Sequence, residues 1–172
     1  MLQLISLVMV IYSYFVIQTN LPKLPRCIPI HFNAAGVPNG WGSPDTLWAL
    51  LGAQALTCAV FLIVPYLALL FPGAVHFGSR KLSDLSPALR TRMISMHKDM
   101  AAYLSIVMNV FFVLMLIEIV RAASQPNPRL HPVFPMVLLG VGTIGILVYY
   151  TRQFLRAAKG EGDWDPSKEL KS

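Results

Sequence analysis

Long apolar runs alternate with short polar segments along this chain, and the runs are too uniform for the period-2 or period-3.6 stripes of a half-buried strand or helix. They cover about 1–18, 47–72, 100–120 and 133–150. Each is near the ~20 residues that cross a hydrocarbon core as a helix. The pattern predicts an all-α integral membrane protein, a four-transmembrane-helix bundle with a turn-rich loop, 19–46, between its first two helices. Pro65 interrupts the second run, a kink that a membrane helix tolerates where neighbours re-satisfy the freed carbonyl. No Lys or Arg precedes the first run, and Gln18-Thr19-Asn20-Leu21-Pro22 offers no small-x-small cleavage pattern, so the run reads as an anchor rather than a signal peptide.

The polar segments give the spans a direction. Arg80, Lys81, Arg90, Arg92 and Lys98 lie between the second and third spans, and Arg152, Arg156, Lys159, Lys168 and Lys171 follow the fourth. The other two loops hold only Lys23 with Arg26, and Arg121 with Arg129. Five and five against two and two places the 73–99 segment and the tail in the cytoplasm, with both termini inside. Loops 19–46 and 121–132 then face outward. The expected organisation is a membrane domain over 1–151 and a solvated cytoplasmic tail over 152–172. Within the inner segment, Leu82-Ser83-Asp84-Leu85-Ser86-Pro87 sets an N-cap candidate before a proline at a first helical position. An interfacial helix is expected to start there and run into span three, with Arg90, Arg92 and Lys98 at the headgroups and Leu89, Met93, Ile94 and Met96 below them.

Composition agrees with the pattern. Of 172 residues, 55% are hydrophobic and 13% charged, about half the charge of an ordinary soluble domain. The net charge of +6 raises the question of a nucleic-acid partner. The positive residues flank apolar runs, however, and no basic helix is interleaved with aromatics, so they read as topology and lipid contacts and nucleic acid is not an expected partner. Cys27 lies in a polar stretch and Cys58 about 16 Å down a helix axis, which leaves no expectation of a bridge between them. Cys58 reads as a small core residue.

The densest punctuation lies in the first outer loop, between Leu24 and Ser43. Ile28 to Phe32 alternates as a short extended piece does. Val37-Pro38-Asn39-Gly40 reads as a tight turn, because proline presets φ and Asn-Gly accepts positive φ. Gly36 and Gly42 add backbone freedom, and Trp41 suits a headgroup-level anchor. Ile28, Pro29, His31, Phe32, Asn33, Gly36, Asn39, Trp41 and Gly42 together resemble the loop I-P-x-H-[FW]-[ND]-x-x-G-x-x-[DN]-x-[WF]-G of a family of bacterial membrane proteins of unknown biochemical function. The same module opens the SdpI-type immunity proteins, which protect a producing cell from its own secreted toxin and help signal its presence. The resemblance covers the first two helices and their loop. It implies a multi-pass protein of the bacterial cytoplasmic membrane whose motif loop, through His31, Phe32, Asn33, Gly36, Asn39, Trp41 and Gly42, recognises a secreted peptide or another envelope protein.

Chemistry beyond the motif needs more donors. His31 and Asn33 alone do not hold a metal, since zinc takes three or four protein ligands. On the topology above, Asp45, Glu118 and His131 share the outer face with His31, and these four form a candidate set for a divalent metal or for acid/base work. His31 reads equally as a turn-stiffening hydrogen-bond donor. Glu118 is placed to pair with Arg121, three residues on along one helix face. Asn109 and Glu118 are the polar residues of span three, and such groups in a span are often functional. No HExxH or complete catalytic set is present, so the reading leans away from an enzyme without excluding one.

Three functions remain in view. The first is a membrane receptor or immunity-type protein. A second is a metal-dependent membrane enzyme using His31, Glu118 and His131. The third is a transporter subunit, which with so few intramembrane polar groups would need a homo-oligomer to build a path.

Overall fold

A computed structural model describes residues 2–158 except 72, 75, 78 and 79; the tail positions from Lys159 onward lie outside the described residues. Four helices follow the four apolar runs: α1 (Leu2–Asn20), α2 (Thr46–Leu70), α3 (Pro87–Ala123) and α4 (Val133–Ala158). All four are long and apolar enough to cross a membrane. Their exposed faces carry large apolar side chains such as Phe15, Ile63, Val141 and Tyr149, the reverse of a water-soluble surface.

The helix ends follow local chemistry. The Ser86 side chain accepts from the Leu89 N–H at 3.4 Å and Pro87 opens α3, as the Ser-Pro pair predicts. From there the interfacial stretch and span three form one helix of 37 residues, about 55 Å long at 1.5 Å per residue. At the other end of the chain, α4 continues past Tyr150 to Ala158, so helix occupies residues 152–158, which composition assigns to the tail. Apolar run length marks the part that needs lipid, but backbone hydrogen bonding carries on through Arg152-Gln153-Phe154-Leu155-Arg156. Pro65 lies inside α2, and the helix is continuous on both sides of it.

α3 is the hub, packing against α1, α2 and α4, while α1 also meets α2. Polar side chains join three of these helices in the middle. Gln54 Nε2 on α2 donates to Asn109 Oδ1 at 3.2 Å, Asn109 Nδ2 donates to the Ser105 carbonyl at 2.9 Å, and Ser105 Oγ donates to Ser6 Oγ on α1 at 2.9 Å. All four residues are buried. With no water to satisfy them in a bilayer, such groups hold helices together through one another.

The chain is not wholly helical. Between α1 and α2 lies an antiparallel hairpin, β1 (Ile28–Phe32) and β2 (Pro38–Gly42). A second pair, β3 (His76–Phe77) and β4 (Arg80–Lys81), connects α2 to α3 at the opposite end. The extended piece expected at Ile28–Phe32 is therefore β1, but the tight turn is displaced. It lies over Asn33–Val37, and Pro38-Asn39-Gly40 belongs to β2. Asn33 causes the shift: its Oδ1 accepts from the N–H groups of Ala35 and Val37, both at 3.0 Å, and its own N–H donates to the Val37 carbonyl at 2.9 Å. An Asx turn thus forms six residues before the Asn-Gly pair, and Gly36 takes the positive φ of 71° that closes it.

Candidate functional site

The hairpin is fastened to the helices by its first two residues. Ile28 and Pro29 are fully buried, and Ile28 joins Ile17 of α1, Leu47 of α2, and Leu116 and Ala123 of α3 in one core cluster. Burying an isoleucine fully contributes roughly 1.5–3 kcal/mol, so these contacts set the position of the whole hairpin.

Its tip is fastened a second time. Leu130, in the α3–α4 connection, donates its N–H to the Gly36 carbonyl at 3.0 Å. A Cβ on Gly36 would overlap the Leu130 carbonyl oxygen, so only glycine allows the approach. Two loops far apart in sequence thereby form a single platform.

Most motif residues are occupied in building that platform. His31 Nδ1 bonds Asn39 Oδ1 across the strands. Gly40 lies under the His31 side chain and Gly42 under Ile30, in spaces a Cβ would enter. Pairing runs Pro29 to Trp41, His31 to Gly40 and Phe32 to Pro38, with irregularities on either side of His31. These bulges turn the strand. Trp41 and Ile30 remain exposed on the hairpin surface.

Beside the platform, Glu118 and His131 meet around Arg121. Arg121 donates from Nε to Glu118 Oε1 at 3.3 Å and from Nη2 to Oε2 at 2.7 Å. This is the forked pairing of guanidinium with carboxylate. The His131 backbone N–H also donates to Glu118 Oε2, at 3.2 Å. Arg121 Nη2 lies 2.5 Å from His131 Nδ1; because a guanidinium only donates, Nδ1 accepts and the ring proton sits on Nε2. Glu118 therefore fixes the α3–α4 connection that receives the hairpin.

Of the four residues considered for a metal, the structure brings together Glu118 and His131. His31 is engaged with Asn39, and Asp45 Oδ2 accepts from Ser43 Oγ at 3.0 Å at the start of α2. Among the described residues, no three His, Cys, Asp or Glu side chains converge on a point that could hold an ion. Glu118 and His131 are both engaged by Arg121, through Glu118 Oε2 and His131 Nδ1.

A groove of about 580 Å³ opens between the hairpin tip and the first turns of α4. Ala35 and Gly36 form one wall, Phe134 and Val137 the other, and His131 stands on its rim. Sequence reading did not include Arg121 as a site residue, nor Leu130 or Phe134, because nothing in their local spacing marks them. It also passed over Gln54, whose signal was simply a polar amide inside an apolar run.

Fold and platform together define a class: a four-helix chain of membrane-crossing length that carries a β-hairpin platform at one end. Residues 4–58, from α1 through the hairpin into α2, match the model of a family described as a domain of unknown function, DUF1648. No curated protein and no solved structure matches the chain.

Proposed function

We propose that this is a multi-pass protein of the bacterial cytoplasmic membrane whose hairpin end faces outward and recognises a secreted peptide or an envelope partner, in the manner of the SdpI-type immunity proteins its loop resembles. The observation that carries this reading is the docking of Gly36 onto Leu130, which holds a preformed groove open between two loops. Rigid walls spare a ligand the ordering cost of building its site. Exposed Phe134 supplies an apolar anchor in that groove and exposed Trp41 a second one elsewhere on the hairpin, and aromatic anchors dominate recognition surfaces. The distribution of Lys and Arg supports the orientation.

The experiment is a survival assay. Cells expressing the protein are exposed to the peptide fraction secreted by a producing strain, with a photo-reactive residue replacing Phe134. Protection together with a peptide crosslinked at that position supports the reading, and Trp41→Ala should lose both. Normal membrane insertion with neither protection nor a crosslink would reject it.

A further inference from the structure

Helices α3 and α4 part at the end away from the hairpin, leaving a cleft of about 500 Å³, a volume typical of small-molecule sites. From α3 it receives Arg92, Ser95 and Asp99, and from α4 Tyr149, Tyr150 and Gln153. We infer that this cleft binds the sugar headgroup of a glycolipid in the adjacent leaflet.

Depth is the first argument. Asp99 lies about 36 Å along α3 from Ala123, and Tyr149 about 24 Å along α4 from Val133, at 1.5 Å per residue. Those heights bracket the far boundary of a hydrocarbon core about 30 Å thick. The cleft is thus at headgroup level, where tyrosines collect. Reading the four helices as spans underlies this step.

Shape and chemistry select the headgroup. Arg92, Ser95 and Asp99 are spaced three and four residues apart on one α3 stripe, so the polar ladder rises about 10 Å along the membrane normal. Two linked hexose rings have that reach, whereas a phosphate presents its charge at one level. The ladder holds a carboxylate and a guanidinium together with a hydroxyl, and Gln153 faces it with an amide. Sugar hydroxyls both donate and accept, so Ser95, Asp99 and Gln153 each find a partner. A phosphate only accepts, so it would pair with Arg92 but leave the Asp99 carboxylate facing it with like charge. Tyr150 is buried and braced by Tyr103 at 6.4 Å and Phe154 at 6.5 Å, while the Tyr149 ring stands against it at 5.1 Å. The exposed Tyr149 ring, set nearly perpendicular to Tyr150, offers its face to the C–H side of a sugar, since a ring face is electron-rich.

The test uses protein purified in a detergent without a sugar headgroup and equilibrated with equal parts of diglycosyl diacylglycerol, phosphatidylglycerol and phosphatidylethanolamine. Native mass spectrometry counts the retained lipid. The glycolipid should be held about tenfold over phosphatidylglycerol, the difference one charge-assisted hydrogen bond makes. Asp99→Asn and Ser95→Leu, the second of which fills the cleft, should each erase that preference while the thermal midpoint is kept; Gln153→Leu serves the same purpose if either variant fails to fold. Preference for phosphatidylglycerol, or a glycolipid preference untouched by these variants, overturns the site. Displacement by free disaccharide at equal concentration overturns the lipid source and reassigns the cleft to a soluble sugar. Failure of the wild-type protein to co-float with liposomes would instead reject the membrane-spanning reading.

Discussion

Leu130 donates its backbone N–H to the carbonyl of Gly36 at 3.0 Å, and the Leu130 carbonyl occupies the space a Gly36 side chain would need. This one contact joins the α1–α2 hairpin to the α3–α4 connection, and much of the chain's behaviour at that end follows from it.

Gly36→Ala should undock the hairpin. Its φ of 71° costs a residue with a Cβ about 1–2 kcal/mol, and the overlap with Leu130 adds to that. A lower unfolding midpoint and faster amide exchange at Leu130 are expected. Unchanged exchange there would show that the two loops are independent.

Asn33→Ala should loosen the turn without moving the helices. Two amides, those of Ala35 and Val37, lose their acceptor, at about 1 kcal/mol for exposed hydrogen bonds of this kind. Asn33→Asp keeps the acceptor and should restore protection at both amides. Equal behaviour of the two variants would argue against the Asx turn.

The Gln54–Asn109 bond should register as coupling between α2 and α3. A double-mutant cycle with Gln54→Leu and Asn109→Leu in detergent or bicelles is expected to return about 0.6 kcal/mol, the average for hydrogen bonds between membrane helices. Strict additivity would mean that the two amides do not depend on one another.

Cysteine labelling reads the orientation directly. Cys27 is exposed beside the hairpin and Cys58 is buried in α2, both as free thiols. A membrane-impermeant maleimide should modify Cys27 on intact spheroplasts and spare Cys58 until the protein is unfolded. Reaction of Cys27 only after permeabilisation would reverse the proposed topology.

The consecutive residues alone determined the four long helices, the start of α3 at Ser86-Pro87 and the extended piece at Ile28–Phe32. Apolar length, an N-cap and strand alternation are properties of neighbours in the chain, so they are legible without a fold. The Glu118–Arg121 pair was legible for the same reason, being three residues apart on one helix. The position of the hairpin turn was not, because two local signals competed. Asn33 captured the backbone amides, while Asn39, the stronger turn former on paper, was drawn across the strands to His31.

Only the tertiary structure decided which distant residues meet. It set Gly36 under Leu130, joined Asn109 to Gln54, gave His131 to Glu118 and Arg121 while leaving His31 with Asn39, and parted α3 from α4 to form the cleft at Asp99. Sequence order carries no measure of these approaches. They depend on how far each helix slides and turns against α3 as side-chain volumes interlock, a choice made by close packing across the whole bundle rather than by any one segment.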